Sequence, residues 1–314
     1  MAKLMISEMK PGQPVDDSFL LSKSELKTTR SDSLYLDLEF MDRSGRIVGR
    51  LWDATERVYE AFAVDDFVHV KGKVEQYRGE LQISVKSLRK PDAKALRLRD
   101  FLPQSDRDPA EMEKELRAIL STVEDPDYQR LIAAFMDDEE FAVAFRTAPA
   151  AVMNHHAYLG GLLEHTLSMA EIAVGIAEHY PNLRRDVLLT GVLFHDVGKI
   201  REIRYTRTFQ FTEEGHLLGH LTLGVMMLKE RAKGLEGFPP EKLAMIQHLV
   251  LSHHGQREFG SPVLPMTAEA FALHYIDNLD AKMREIDDIL EEDRNENQSF
   301  TNYQRRLERR LFKG

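Results

Sequence analysis

The chain has 314 residues, no cysteine and a formal net charge of −10 at pH 7. The length favours two modules with separate cores, the charge argues against a general polyanion binder, and the missing thiols leave His, Asp and Glu as the available side-chain metal ligands. No apolar run reaches the roughly 20 residues that cross a bilayer, and residues 1–13 lack the apolar core of a signal peptide, so we expect a cytoplasmic protein without a membrane partner.

Residues 1–90 are predicted to form a β domain. Alternating apolar residues mark five short strands, and a helical piece at 56–63 separates the third strand from the fourth. This order is typical of an OB-fold barrel. The segment is neutral, with 15 Lys and Arg against 15 Asp and Glu, so a nucleic acid would have to meet a local basic track.

OB-fold barrels commonly bind single strands by stacking bases on aromatic side chains while Lys and Arg follow the phosphates. For each such residue taken alone, a solvated position on a β surface is the commoner explanation. The aromatic and basic candidates for that surface are Tyr35, Tyr77, Lys23, Lys27, Arg30, Lys71, Lys73 and Arg78. Those predicted as substrate contacts are Tyr35, Lys71, Lys73 and Arg78.

Residues 91–150 are predicted to be a linker followed by helices. Asp108 before Pro109 is typical of a helix start, because Asp caps the free N–H groups and Pro fits the first turn. Apolar residues at helical spacing follow in 111–123 and 126–136.

Residues 151–283 are predicted to be helical, with His or Asp at otherwise apolar places. The apolar run at 188–200 contains His195 and Asp196, and Lys199 follows. Helical neighbours lie about 100° apart, so both side chains can lean toward one pocket, where a divalent metal would compensate a buried carboxylate. For the doublet alone, an ordinary core His–Asp pair is the alternative. Further polar residues of this kind are His155, His156, His165, His216, His220, His253, His254, Asp277 and Asp280.

The order of these residues resembles the HD-domain metal-dependent phosphohydrolases, in the version with extra histidines for two metals. The resembling set is His165, His195-Asp196, His220, His253 or His254, and Asp277. With an OB-fold in front, the sequence NHHAYLGGLLEH ending at His165 and LLGH ending at His220, the chain looks closer still to the YhaM-type 3′-to-5′ exoribonucleases. That similarity spans almost the full chain.

This resemblance implies an N-terminal OB-fold β-barrel followed by an all-α HD-domain helical bundle. It implies a metal-dependent exonuclease that removes nucleotides from the 3′ end of single-stranded RNA, with single-stranded DNA as a second candidate substrate. The implied cofactors are divalent ions, two per chain, with Mn ahead of Co, Fe, Zn and Mg.

The resemblance also implies roles for individual residues. One metal would be held by His165, His195, Asp196 and Asp277. The second would share Asp196 and take His220 with His253 or His254, although His216, one turn earlier, is an alternative to His220. Lys199 would lie near the scissile phosphate, with a simple exposed lysine as the alternative. His155 and His156 would be phosphate contacts or partners of the ligands.

Residues 284–314 are predicted to be a charged helical tail, in which an acidic segment precedes four arginines. The arginines either guide RNA or pair with the acidic segment, and the second is at least as common.

Two other functions fit the same residues. The metal site would then act on a small nucleotide, or it would be a structural site in a nucleic-acid-binding module. The oligomeric state is left open, a homo-oligomer included.

Overall fold

A computed structural model describes residues 3–29, 31–92, 96–152, 157–293 and 298–314. The predicted contacts Arg30, His155 and His156 lie outside these described residues. The chain divides into two compact units, Met1–Gln104 with Tyr205–Thr208, and Ser105–Arg204 with Phe209–Gly314. The finer borders at residues 90 and 150 stay predictions.

The first unit is a closed five-stranded barrel. Neighbouring strands follow the order β1-β2-β3-β5-β4, β1 pairs with β4 to close the barrel, and β3 runs parallel to β5. This confirms the predicted OB-fold, including the helix between the third and fourth strands. The elements are β1 (Pro14–Thr28), β2 (Leu34–Asp42), β3 (Gly45–Trp52), α1 (Glu56–Glu60), β4 (Phe67–Tyr77) and β5 (Glu80–Arg89).

Alternation along the strands builds the barrel core. On β2, Leu36, Leu38 and Phe40 are buried among Phe19 and Leu21 of β1. Each such side chain contributes about 1.5 to 3 kcal/mol by leaving water. Side chains between the inward positions face outward, so the outer surface of the barrel is left for charged and aromatic residues.

The second unit is helical, as predicted. Asp108 caps α2 by accepting hydrogen bonds from the backbone N–H groups of Ala110 and Glu111, which confirms the predicted helix start. The elements are α2 (Pro109–Leu120), α3 (Pro126–Met136), α4 (Glu139–Thr147), α5 (Gly161–His179), α6 (Arg185–Phe194), α7 (Lys199–Glu202), β6 (Ile203–Arg204), β7 (Gln210–Phe211), α8 (Glu213–Lys233), α9 (Pro240–Ser252) and α10 (Ala268–Glu292).

Helix α6 is the centre of this unit. Every residue from Val187 to Phe194 is buried, and α5, α9 and α10 all pack against the helix. A helix that is apolar on all sides has to lie inside the protein. The chain therefore delivers His195 and Asp196, which follow α6 directly, to the interior of the unit.

The end of the chain differs from the prediction. The acidic segment continues α10 to Glu292, so the predicted border at residue 283 falls inside this helix. Residues 298–314 contain no helix, because Phe300 bridges Phe312 and Gln304 bridges Arg309 in an antiparallel arrangement. The chain turns at Glu308, whose positive φ of 53° is incompatible with a right-handed helix.

Within the described ranges, no helix is both long enough and apolar enough to span a bilayer.

Candidate metal centre

Five helical segments bring the predicted ligands together. His165 lies on α5, His195 and Asp196 follow α6, and His220 lies on α8. His253 and His254 follow α9, and Asp277 lies on α10. Three groups have ligand atoms within 4.8 Å of one another: His165, His195 and Asp277; His195, Asp196 and His253; and His220, His253 and His254. We call all seven residues the metal pocket.

The first cluster consists of His165, His195 and Asp277. The Nε2 atom of His165 lies 3.3 Å from Nε2 of His195 and 3.2 Å from Oδ1 of Asp277. Both histidines are buried. Two imidazole nitrogens and a carboxylate that meet in the interior form a donor set suited to a first-row divalent ion.

The second cluster consists of His220, His253 and His254. Their rings lie 4.4 to 5.8 Å apart by centroid, and Nε2 of both His220 and His253 faces Oδ1 of Asp196, at 3.4 and 3.6 Å. The sequence left open which of His253 and His254 is near His220. In the structure both are.

Asp196 stands between the two clusters. Its Oδ2 atom lies 3.4 Å from Nε2 of His195 and 2.6 Å from Nζ of Lys199, while Oδ1 faces His220 and His253. One carboxylate therefore addresses both clusters with different oxygens. Lys199 is an ion-pair partner of this carboxylate and is only partly exposed, unlike the exposed lysine considered as an alternative.

Unpaired polar atoms show that the pocket fits a cation. Asp196 Oδ1, His220 Nε2 and His254 Nδ1 are buried without hydrogen-bond partners. Because Glu202 accepts the Nδ1–H of His220, the Nε2 atom presents a lone pair toward Asp196 Oδ1. Two facing lone pairs repel each other unless a cation lies between them. Buried unpaired groups of this kind are costly, so the donor set suits a divalent ion.

Local backbone structure aims two of the histidines. His195 and His253 each follow the end of a helix, and each donates its Nδ1–H to a carbonyl three residues earlier, at Val192 and Val250, with N–O distances of 2.8 Å. The same bond fixes the same tautomer in both rings and leaves Nε2 free as a ligand atom.

A glycine separates the roles of His216 and His220. Gly219 has φ 68° and ψ 158°, so α8 is kinked between the two histidines and they do not share a helical face. His220 turns toward Asp196, whereas His216 is exposed and packs on the ring of Phe211.

Two carboxylates that the sequence did not assign orient the other two rings. Asp280 accepts the Nδ1–H of His165 at 2.6 Å, and Glu202 accepts both the backbone N–H of His220 at 2.8 Å and its Nδ1–H at 3.1 Å. Asp280 could be recognised in the sequence as an acid three residues after Asp277. No sequence pattern indicates the role of Glu202, because 18 residues separate it from His220.

Two further residues hold the pocket in place. His274 donates its Nδ1–H to the carbonyl of His253 at 2.8 Å, which fixes the chain after α9. Gly198 lies against α8 so closely that a Cβ there would be 2.0 Å from the carbonyl oxygen of His220.

Burial and neighbouring charges set the protonation of Asp196 and His165. Burial alone would raise the pKa of Asp196, but the Lys199 ammonium and the His195 ring hold it well below its usual range. Burial alone would lower the pKa of His165, but hydrogen bonds to Asp277 and Asp280 outweigh it and raise the pKa to about 9. An ion held by the first cluster would therefore have to displace a proton from His165.

The pKa values of His253 and His254 shift in the direction opposite to that of His165. Burial lowers the pKa of His253 and His254, and the adjacent rings of His195 and His220 lower it further. Both rings are neutral at pH 7. Neutral imidazole is the form that binds metal ions.

The predicted substrate contacts on the barrel do not form one cluster. Tyr35 is opposite Lys27 on β1, and Lys71 is opposite Asp16, which is eleven residues earlier on that strand. Lys71 forms an ion pair with Asp16 at 3.2 Å. Lys73, Tyr77 and Arg78 are exposed, and the guanidinium of Arg78 lies 5.3 Å from the centre of the Tyr77 ring.

An exposed tryptophan beside Tyr35 was missed. Trp52 ends β3 with half of its surface exposed, and its ring centroid lies 5.0 Å from that of Tyr35. The guanidinium of Arg50 lies 5.6 Å from the centre of the Tyr35 ring. The tryptophan was visible in the sequence, but its outward direction depends on the pairing of Tyr35 with Trp52.

Comparison with known proteins now adds to the geometry. A family model described as HD domain matches residues 162–282, and one described as OB-fold nucleic acid binding domain matches residues 22–91. The protein named 3′-5′ exoribonuclease YhaM from Geobacillus sp. (strain WCH70) is 37% identical over 277 residues, which cover 88% of this chain and 85% of that protein. The chain belongs to the YhaM family.

Other comparisons agree to different degrees. The YhaM proteins of Bacillus velezensis and Bacillus subtilis are each 37% identical over 293 residues, covering 93% of this chain and 92% of each relative. A solved OB-fold domain of replication protein A from Methanococcus maripaludis covers 31% of this chain and all of that domain, at 23% identity and a TM-score of 0.23, which is too low to carry an argument. The HD domain, together with the His and Asp clusters, implies dependence on a divalent metal.

The carboxylates Glu202 and Asp280 should act separately on the two clusters. Glu202→Gln should weaken metal binding at the second cluster about 10- to 100-fold and leave the first unchanged, because an orienting partner of a ligand histidine typically has this effect. Asp280→Asn, the matched control, should do the reverse. Calorimetric titration of the metal-free variants with Mn²⁺ measures both. Equal weakening of both clusters by either variant contradicts separate roles.

Proposed function

We propose that this chain is a metal-dependent 3′-to-5′ exoribonuclease that hydrolyses phosphodiester bonds of single-stranded RNA, with single-stranded DNA as a second candidate substrate. The observation that carries the proposal is the metal pocket, in which Asp196 lies between two His-rich clusters in a chain that also contains an OB-fold. The relatives named 3′-5′ exoribonuclease support the polarity and the substrate.

The proposed cofactor is a pair of divalent ions per chain, with Mn first among the candidates. Asp196 supports the number, because its two oxygens face different clusters. His165, His195 and Asp277 would hold one ion with Asp196, and His220, His253 and His254 would hold the other. When bound, such ions would lower the pKa of a water and neutralise charge on the phosphoryl oxygens.

The protein groups then bind and orient the RNA. Lys199 is held beside Asp196 by a 2.6 Å ion pair, and this pair raises the pKa of its ammonium even though burial alone lowers it. We propose that this permanently charged ammonium contacts the scissile phosphate, where it stabilises the negative charge of the transition state. Asp196 and Lys199 are thus the proposed catalytic residues.

The barrel is proposed to hold the strand. Tyr35 and Trp52 support this role, because two adjacent aromatic rings at the surface of the barrel can stack a base. Lys71, Lys73 and Arg78 stay candidates for further phosphate contacts. The cytoplasmic location and the oligomeric state remain predictions from the sequence.

The shared position of Asp196 predicts a metal count. The native chain should retain two Mn²⁺ ions after equilibrium dialysis, Asp196→Asn should lose both, and His220→Asn should keep one. Elemental analysis gives the count, and circular dichroism confirms that each variant is folded. An Asp196→Asn variant that keeps two ions would contradict the shared role of Asp196 in the two clusters.

The activity is tested with a 20-nucleotide RNA labelled at its 5′ end. With Mn²⁺ the native chain should shorten this RNA from its 3′ end, and Asp196→Asn should be slower by about 100-fold or more, since metal ions supply several kcal/mol to the transition state. Gel electrophoresis over time shows the ladder of shortened products. Hydrolysis of a small phosphodiester such as bis(p-nitrophenyl) phosphate without any RNA ladder would support the small-nucleotide alternative instead.

Trp52→Ala should weaken binding of single-stranded RNA about 5-fold or more, because one base–aromatic stack contributes about 1 to 3 kcal/mol. Fluorescence anisotropy with labelled RNA, measured without metal so that no cleavage occurs, gives the Kd. Tyr180→Ala removes an equally exposed aromatic ring from the helical unit and should have no effect. Native affinity in the Trp52 variant removes the barrel contact from the proposal.

A further inference from the structure

The last 17 residues form an ordered hairpin, which we call the C-terminal hairpin (residues 298–314). Its two arms are joined by hydrogen bonds from Thr301 N to Leu311 O and from Lys313 N to Ser299 O, both 2.9 Å. The hydroxyl of the buried Thr301 also accepts the N–H of Leu311 at 3.0 Å. The side chains of this hairpin are therefore presented in a defined arrangement.

Two ion pairs fix the C-terminal hairpin to α10 and to the residue that follows this helix. Lys313 lies 3.2 Å from Asp293, and Arg306 lies 3.6 Å from the buried Glu285. These contacts are the pairing between basic and acidic segments that the sequence suggested, but they use only two of the five cations. In the part of the chain that the structure describes, Arg305, Arg309 and Arg310 are exposed and form no ion pair.

Aromatic side chains are exposed beside these arginines. Phe300, Tyr303 and Phe312 each have about half or more of their surface in solvent, and the rings of Phe300 and Phe312 lie 5.2 Å apart. Exposed aromatic groups gathered in so short a segment are typical of a binding surface. Phe300 and Phe312 pair with each other across the hairpin, and each ring still has about half or more of its surface open for stacking.

The charge of the hairpin is opposite to that of the whole chain. Five Lys and Arg stand against one Glu in residues 298–314, whereas the protein has a net charge of −10. A polyanion is repelled by the average surface and attracted here. Aromatic rings interleaved with arginines fit a single-stranded nucleic acid in particular, since the rings stack bases and the guanidinium groups contact phosphates.

The position on α10 places the hairpin near the metal pocket. Glu285 follows Asp277 by eight residues, about 12 Å along the helix at 1.5 Å per residue. About four nucleotides at 3.4 Å per step cover this distance. A strand with its 3′ end at the pocket would therefore reach the hairpin a few nucleotides upstream.

We propose that the C-terminal hairpin is a second RNA-binding surface. It holds the strand upstream of the 3′ end through Phe300, Phe312 and the three arginines that form no ion pair. The identity of the strand as RNA rests on the proposed function. The hairpin should strengthen binding of long RNA and have no effect on RNA of two or three nucleotides, which is too short to reach it.

The experiment compares the full chain with Arg305→Ala/Arg309→Ala/Arg310→Ala and with Phe312→Ala. Anisotropy with a labelled 20-nucleotide RNA, without metal and at several salt concentrations, gives the Kd. The triple variant should weaken binding at least 10-fold at low salt and lower the slope of log Kd against log salt by about 2, as three lost phosphate contacts require. Phe312→Ala should weaken binding about 5-fold or more.

Two controls separate charge loss from a specific surface. Lys10→Ala/Lys229→Ala/Lys233→Ala removes three exposed cations from elsewhere in the chain and should leave the Kd within 2-fold. The variant Arg305→Lys/Arg309→Lys/Arg310→Lys keeps the three positive charges, so it should retain most of the salt dependence of the Kd. Equal weakening by both alanine triples would show a general charge effect and overturn the proposal.

Cleavage distinguishes the hairpin from the proposed function. With Mn²⁺, alanine at Arg305, Arg309 and Arg310 should raise KM for the 20-nucleotide RNA and leave cleavage of a trinucleotide unchanged.

The outcomes separate the two proposals. If the native chain cleaves both RNAs and the alanine variant binds and cleaves the long RNA as well as the native chain does, the hairpin proposal fails while the exonuclease proposal stands. If the native chain cleaves neither RNA, the exonuclease fails, and the Kd measurements alone decide the hairpin. A hairpin that binds an acidic protein or a second copy would leave RNA affinity unchanged in every variant, which also rejects the proposal.

Discussion

The organisation of the helical unit depends on one buried carboxylate, that of Asp196. A charge in the interior is costly unless compensating groups surround it. The Lys199 ammonium lies against one oxygen of Asp196, and the Nε2 atoms of His195, His220 and His253 face the carboxylate, where a bound cation would complete the compensation. These residues lie on or beside α6, α7, α8 and α9. The packing of these helices therefore both surrounds the buried charge of Asp196 and brings the residues of the metal pocket together.

The central position of α6 explains why the carboxylate can be held there. A helix that is apolar on all sides has no solvated face, so the residues that follow it enter the interior whatever their polarity. The hydrogen bonds from His195 and His253 to carbonyls three residues earlier need only the end of a helix. The rings of His165 and His220 lie within helices and depend on carboxylates from distant parts of the chain.

This difference also explains how much could be predicted from the sequence. The barrel was predictable because strand alternation and turn residues are local, and the pocket residues were predictable because polar side chains in apolar runs are conspicuous. Glu202 was not, since its role depends on how α7 meets α8. The tail was predicted as helical from the spacing of its leucines and arginines, but the turn at Glu308 and the hydroxyl of Thr301 stabilise a hairpin.

Gly198 adds a constraint on the position of Asp196 relative to the second cluster. The backbone of α8 leaves no room for a Cβ at this position. A Cβ built on Gly198 would lie 2.0 Å from the carbonyl oxygen of His220 and 2.7 Å from the backbone nitrogen of Gly224. The 3.4 Å approach of Asp196 to His220 is compatible with this packing because Gly198, which directly precedes α7, has no side chain. A single carbon added at Gly198 would force the start of α7 away from α8, and it would thereby move Asp196 relative to His220 without altering any ligand.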